Sequence, residues 1–353
     1  MDECRVENAT NCGPGIKDLG CYLVFNTSLE KAFLTLLSCT VGSLGIIENV
    51  VVLCIILSSS CLRRNPSYLF LASVALADLL ASVCFTYSFL DFHVFGETGS
   101  PTIFLLKLGG VIASFTVSLG SLLLTAFDRY ICIHKPSAYK TLVTKKRALV
   151  ALVLTWWLSV LIAFLPLMGW NCCKLKTLCS ELFPLIDNKY LIFWISLVML
   201  LLTFIAYSYS HILLKAHKHV VCMKYHRKQA GQTPEQVTMR MNVLLAKTLA
   251  LVLAVIMLCW APVLLLMMYS LFGSLSEGIK RAFAFCSNLC LLNCVVNPIV
   301  YSMRSRDMWH RLMKGLSCLR RRISGCDLEG TNEQKNSAAA IVSDETPGDT
   351  EVQ

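Results

Sequence analysis

The sequence predicts an all-α membrane protein, a seven-transmembrane helix bundle with a short amphipathic helix on the inner surface. Three observations carry that prediction. The 353 residues are 56% apolar and only 15% charged, with a mean hydropathy of +0.62, whereas a soluble domain runs at about 45–50% apolar and 25% charged. The apolar residues come in seven blocks, each longer than the roughly 20 residues needed to cross a bilayer. The basic residues are also partitioned between the alternating connections.

The blocks fall at 32–58, 68–92, 102–133, 148–170, 189–215, 243–272 and 279–303. Hydrocarbon offers no partner to a free amide, so each must be helical or belong to a closed barrel. Continuous apolarity without alternation decides for helix. With the N-terminus outside, 23 of the 32 Lys and Arg lie on the inner side, in groups around Arg63, Lys145, Lys215 to Arg240 and beyond Arg304. That bias fixes the orientation. It also accounts for the net charge of +10 as an inner face turned to anionic lipid, without invoking nucleic acid.

Residues 1–31 form an extracellular segment, 32–303 the bundle, 304–318 the amphipathic helix and 319–353 a disordered cytoplasmic tail. The opening stretch is polar and lacks the apolar core of a secretory signal, so the first helix is expected to act as its own insertion signal. The sequons at Asn8 and Asn26 are glycosylation candidates on the outer side. After the seventh span, Met308, Leu312, Met313 and Leu316 share one face with bases opposite, the pattern of a helix lying in the interface. Cys318 at its end is a palmitoylation candidate.

Of 18 cysteines, those within spans read as small packing residues. Six face the oxidising side: Cys4, Cys12, Cys21, Cys172, Cys173 and Cys179. In "WNCCKLKTLCSEL" a small ring closes from Cys179 to either Cys172 or Cys173, and spacing does not decide which. No paired CxxC has zinc spacing.

Polar groups inside the spans are few and costly: Glu48, Asn49, Asp78, Ser118, Asp128, Arg129, Asn293 and Asn297. Any one could be interhelical glue; a set gathered on the first, second, third and seventh spans is a pattern. "LLLTAFDRYICIHKP" ends an apolar helix in Asp128, Arg129 and Tyr130. A buried ion pair stabilises little but serves well as a two-state device.

"EN" in the first span, "LADLL" in the second, "DRY" ending the third, Trp156 in the fourth, Tyr209 in the fifth, "CWAP" in the sixth and "NPIVY" in the seventh together resemble the class A, rhodopsin-like G-protein-coupled receptors. "NPSYLFLASVALADLLAS", "SLLLTAFDRY", "CSELFPLI", "LAKTL" and "VVNPIVYSMRS" resemble the cannabinoid receptors within that class, over roughly residues 30–315. "LRRNPSYLF" and "PLMGW" with its double Cys look like the type-2 branch, while "WNCCKL", "DFHVF" and "LIDNKY" lean to type 1.

The resemblance implies a receptor, not an enzyme, for endocannabinoid-type lipids such as fatty acid ethanolamides and monoacylglycerols, coupled to inhibitory Gi/o proteins, with arrestin and receptor kinases as further partners. It places Phe85, Phe89, Phe92, His93, Val111, Phe115, Phe183, Trp194, Trp260, Val263, Met267, Phe283 and Ser287 in the ligand site. Lys107 and Lys280 are additional polar points for a head group, and Ser287 is the expected hydrogen-bonding residue. Val111 stands where amine receptors of the class carry an Asp, and Leu291 where opsins carry the retinal Lys, so neither ligand class fits.

Asp128, Arg129, Tyr130, Tyr209, Asn242, Asn297, Pro298 and Tyr301 are the implied coupling and switch residues. Asn242 stands where many members have an acid gripping the arginine, which predicts a looser closed state. Asp78, Ser118 and Asn293 match the family's sodium site, with hard oxygens suited to a small cation; no other cofactor is expected. A transporter would show internal repeats and paired broken helices, and an intramembrane hydrolase a GxSxG or HExxH pattern; the sequence has none of these.

Overall fold

The computed structural model describes residues 22–25, 27–96, 100–226, 234–273 and 275–304, without side chains at 216–217, 219–226, 234–250, 252 and 299–304. All of these lie in the first of two compact units, Met1–Arg304. The expected amphipathic helix, the tail, Asn8, Asn26 and Cys318 lie outside the described residues, as do the side chains of Asn242 and Tyr301.

Ten helices follow one another among the described residues: α1 (Ser28–Ser58), α2 (Ser60–Arg64), α3 (Pro66–His93), α4 (Pro101–His134), α5 (Pro136–Leu142), α6 (Lys145–Met168), α7 (Cys172–Leu175), α8 (Asn188–His226), α9 (Pro234–Tyr269) and α10 (Glu277–Arg304). Helices α1, α3, α4, α6, α8 and α10 are long and apolar enough to cross a membrane, and the apolar stretch Leu253–Tyr269 of α9 supplies the seventh member. The architecture is the expected seven-helix bundle.

Helix ends depart from the apolar blocks wherever a capping residue extends them. Helix α1 begins at Ser28 because Thr27 Oγ1 accepts from the Glu30 amide at 3.3 Å, a T-x-x-E start written in "TSLE". Asn65 and Ser100 cap α3 and α4, each followed by a proline in the first turn, where the missing amide costs no hydrogen bond. Helices α8 and α9 run well past hydrocarbon length, to His226 and from Pro234.

Helix α4 is the axis of the bundle, packed against α3, α6 and α8. It meets α6 closely because two of its residues lack side chains. A Cβ on Gly109 would lie 2.7 Å from Phe164 Cε1, and one on Gly120 would lie 2.6 Å from Thr155 Cγ2. Small residues at such a crossing let helix surfaces interlock where the hydrophobic effect contributes nothing between apolar faces in lipid. Polar links then fix the rotation of each helix. Trp156 Nε1 donates to Ser73 Oγ at 2.9 Å, and Ser73 and Ser121 hydroxyls are 2.8 Å apart, joining α6, α3 and α4. Asn49 Nδ2 donates to Gly45 O at 2.8 Å and to Cys294 O at 3.0 Å, joining α1 to α10.

Gly109→Val should therefore overpack the α4–α6 crossing and destabilise the bundle by about 1–3 kcal/mol. Thermal unfolding of purified protein in detergent should show the lower midpoint, while Gly273→Val, at a position with open space around it, should leave it unchanged.

Candidate functional site

Three polar or aromatic assemblies stack along the bundle, from the outer mouth to the inner surface. The outermost is a cavity, and its floor and walls come from different helices. Phe85, Phe89, Phe92 and His93 of α3 face Val111 and Phe115 of α4. Trp194 of α8, Trp260, Val263 and Met267 of α9, and Phe283 and Ser287 of α10 complete the ring, with Phe183 descending from the connection between α7 and α8. All thirteen residues expected in the ligand site line this one cavity.

The aromatic lining is interlocked. Phe85 stacks on Phe89 at 5.2 Å and meets Phe115 edge-on at 6.0 Å. Phe115 in turn meets Trp260 edge-on at 5.6 Å, and Trp194 lies 6.4 Å from Trp260. Phe183 and Phe283 are T-shaped at 5.3 Å. These are the offset and edge-to-face geometries that aromatic quadrupoles favour.

The polar points are quieter than the sequence suggested. Lys107 Nζ is 2.5 Å from Asp91 Oδ2 and Lys280 Nζ is 3.3 Å from Glu181 Oε2, so each lysine meets a carboxylate at the cavity wall. Nothing in local sequence spacing reveals the pairing of Glu181 with Lys280, which depends on how the loop after α7 folds back. Ser287 Oγ donates to Ala284 O at 2.7 Å within its own helix, so what it offers a ligand without rearrangement is an acceptor. His93 Nδ1 is buried with no hydrogen-bond partner. Its ring sits among Phe25, Phe89 and Phe92.

The folded-back loop owes its shape to a disulfide between Cys172 and Cys179. Cys172 closes the small ring because it opens α7 pointing inward, fully buried, with its amide donating to Leu185 O at 3.2 Å. Isolated bridges Asn171–Ile186 and Cys179–Asp187 lay the loop back on itself. Tyr22 and Val24, outside every predicted span, also line the cavity; sequence reasoning missed them because a segment before the first helix carries no periodic signal.

Below the cavity, Asp78 accepts from Ser118 Oγ at 2.5 Å and from Asn297 Nδ2 at 2.9 Å. Three helices thus converge on one fully buried carboxylate. Asn293 Oδ1 is buried without a hydrogen-bond partner. A carboxylate, a hydroxyl and an unsatisfied amide oxygen are the donor chemistry that a small hard cation takes.

At the inner end Asp128 and Arg129 form the expected ion pair. Arg129 Nε donates to Asp128 Oδ2 at 2.8 Å, and Nη2 donates to Asp128 and to Ser67 Oγ. Tyr139 of α5 donates to Asp128 Oδ1 at 2.7 Å and lies 3.1 Å from the Ser67 hydroxyl. Tyr139 is thus a member of this cluster. Tyr130 turns away, stacking on His134 at 4.2 Å. Tyr209 is fully buried.

An apolar cavity above a buried carboxylate, above an arginine held by its neighbouring acid, makes up a seven-helix membrane receptor. A family model described as "7 transmembrane receptor (rhodopsin family)" matches residues 48–301. The chain is 49% identical over 323 residues to the protein named Cannabinoid receptor 1 of Taricha granulosa, covering 87% of this chain and 68% of that one. It is 47% identical over 329 residues to Cannabinoid receptor 2 of Homo sapiens, covering 90% of each. It is also 48% identical over 342 residues to Cannabinoid receptor 2 of Mus musculus, covering 96% and 97%. The chain belongs to the cannabinoid receptor family, a family of membrane-embedded receptors and not of enzymes.

Burial pushes the Tyr139 phenol up to about 12 from its ordinary 10.0. The folded protein therefore holds this proton more tightly than the unfolded chain does. Its contribution to stability is complete below pH 10 and is lost as pH rises toward 12. The gap in melting temperature between wild type and Tyr139→Phe should shrink over that window and stay constant from pH 7 to 9.

Proposed function

We propose that the protein is a receptor for endocannabinoid-type lipids, fatty acid ethanolamides and monoacylglycerols, that couples to Gi/o proteins and so lowers adenylate cyclase activity. The observation that carries this reading is the cavity itself: its walls are aromatic and aliphatic, and both of its lysines meet carboxylates. A formally charged ligand would have to displace one of those carboxylates, whereas a neutral amide, ester or hydroxyl head on a long acyl chain needs only the Ser287 acceptor and apolar surface. Burying the chain gains about 0.8 kcal/mol per methylene, which also favours arrival from the bilayer.

Trp260 is the coupling element in this reading. It sits at the base of the aromatic ring, two residues before Pro262, where a missing backbone hydrogen bond permits a bend. A ligand that shifts Phe115 and Trp260 tilts the inner part of α9, and Arg129 leaves Asp128 for the C-terminal helix of a Gα subunit. Tyr209 and Tyr301 then reorganise toward the arginine, and Asn297 with Pro298 lets α10 follow. Tyr130 supports the same inner surface.

Asp78, Ser118 and Asn293 would hold a sodium ion, which supplies compensating charge to the buried carboxylate when bound. By linkage, an ion that prefers the closed bundle opposes agonist. Arrestin and receptor kinases are the remaining partners of this reading, acting on the tail. Between subtypes we favour the type-2 receptor, supported by "PLMGW" with its double Cys and by "LRRNPSYLF". The Cys172–Cys179 bond leaves Cys173 outside the small ring.

The test is nucleotide exchange on purified Gi/o with a fatty acid ethanolamide as agonist. Phe183→Ala should raise the half-effective concentration roughly 10- to 100-fold, the scale of burying one aromatic side chain. Ser287→Ala should raise it roughly 3- to 10-fold, one neutral hydrogen bond. Exchange unaffected by lipid at folded receptor would sink the reading. Agonist-free exchange should fall in Asn242→Asp, which puts an acid at the sequence position where many members of the class carry one; unchanged basal exchange would show that the amide is not what loosens the closed state.

A further inference from the structure

At the inner ends of α4 and α8 two histidines approach each other from different helices, each packed on a tyrosine one turn earlier. Tyr130 stacks on His134 with ring centroids 4.2 Å apart, and Tyr207 packs on His211 at 4.4 Å. Both pairs have the i, i+4 spacing that brings side chains of one helix together. Between the helices the His134 and His211 centroids are 6.4 Å apart, and Tyr130 stands at the third corner, 6.2 Å from His211. Both histidines are half-buried. Neither belongs to the lipid cavity or to the Asp128–Arg129 pair.

Ring packing alone does not call for histidine at two such positions, because phenylalanine gives the same contacts with no nitrogen to satisfy. The orientation of one ring is also set. His134 Nδ1 lies 3.1 Å from Tyr130 O. A carbonyl only accepts, so Nδ1 carries the proton and Nε2 keeps its lone pair. An imidazole held through one nitrogen by a backbone carbonyl is the arrangement that metal-ligating histidines commonly have. Lys215 is the nearby charge, and its Nζ donates to Ile133 O at 2.7 Å. That charge opposes a cation held by electrostatic field alone, so an ion settling here must gain its affinity from bonds to nitrogen.

The geometry points to a zinc site: one ion bridged between His134 Nε2 and a ring nitrogen of His211, with water completing its shell, so that the inner ends of α4 and α8 are tied together. Imidazole nitrogen suits zinc, copper and nickel, whereas magnesium and calcium take oxygen. Among the described residues no group of three or more His, Cys, Asp or Glu surrounds the position, which is why water fills the remaining places. Zinc–nitrogen bonds of about 2.0–2.1 Å put the centroids of two imidazoles on one tetrahedral ion roughly 5 Å apart. The rings therefore close by about 1 Å, which small torsional shifts within a rotamer well supply. The site lies five residues beyond Arg129 on the same helix. Any bearing on coupling rests on the receptor reading; the binding of the ion does not.

The test uses the full chain and zinc itself, with no agonist. Diethyl pyrocarbonate modifies free imidazole nitrogens, and mass mapping reads each histidine separately. With zinc at about ten times its dissociation constant, labelling of both His134 and His211 should slow roughly tenfold, and magnesium at the same concentration should protect neither. Protection of one ring alone, or of neither, overturns the site and leaves aromatic packing; a ring that stays unlabelled without zinc is closed to water and overturns it equally. His134→Phe and His211→Phe keep a ring at each corner and remove its nitrogens. Zinc should raise the melting midpoint of wild type by about 2–4 °C more than that of either variant. Exposed thiols such as Cys61 contribute equally to all three proteins. A shift as large in either variant as in wild type overturns the inference. Should a variant fail to fold, the labelling of wild type still decides.

Discussion

Hydrocarbon will not hydrogen-bond, and that constraint shapes this protein more than any attraction between its helices. A polar group carried into the membrane is costly unless it finds a partner on another helix or on its own backbone, and among the described residues most do, Asn293 Oδ1 and His93 Nδ1 being exceptions. The partners it finds determine how the helices face one another. Asp78 is the clearest case: its two oxygens accept hydrogen bonds from Ser118 and Asn297, so one carboxylate sets the register of α3, α4 and α10. Asn49 does the same for α1 and α10 through backbone carbonyls. The interior is therefore specified by a handful of polar contacts within a background of interchangeable apolar packing.

In the proposed reading, the same constraint lets the bundle act as a switch. A buried ion pair such as Asp128–Arg129 gains little net free energy, because desolvating both charges offsets most of their attraction. It has, however, a definite alternative wherever a third group offers the arginine equivalent contacts. Ser67 and Tyr139 complete the arrangement from α3 and α5. The latch thus spans three elements, not two adjacent residues of one helix, and movement of α5 is coupled to it.

The seven spans and the identity of the thirteen cavity residues were readable from apolar block lengths and family motifs. What escaped was set by tertiary folding. That Cys172 and not Cys173 bonds Cys179 depends on which side of a four-residue helix faces inward; adjacent cysteines look the same in one dimension. The neutralisation of Lys280 by Glu181 joins residues nearly a hundred positions apart through a loop bend, with Leu185 at φ +62°. Helix starts were misplaced by a few residues because apolarity marks the hydrocarbon and capping chemistry marks the helix, and Thr27 caps α1 before its apolar stretch begins.

Pairing the cavity lysines also bears on how selectivity arises. Lys107 and Lys280 each sit against an acid supplied by another element, so the wall is electrically balanced before any ligand arrives. On the proposed reading, a zwitterion or acid would have to compete with a carboxylate already paired to each lysine. A neutral head group leaves both pairs intact. In the proposed reading, discrimination against charged lipids would thereby come from interactions the protein makes with itself, and the aromatic cavity would take the acyl chain.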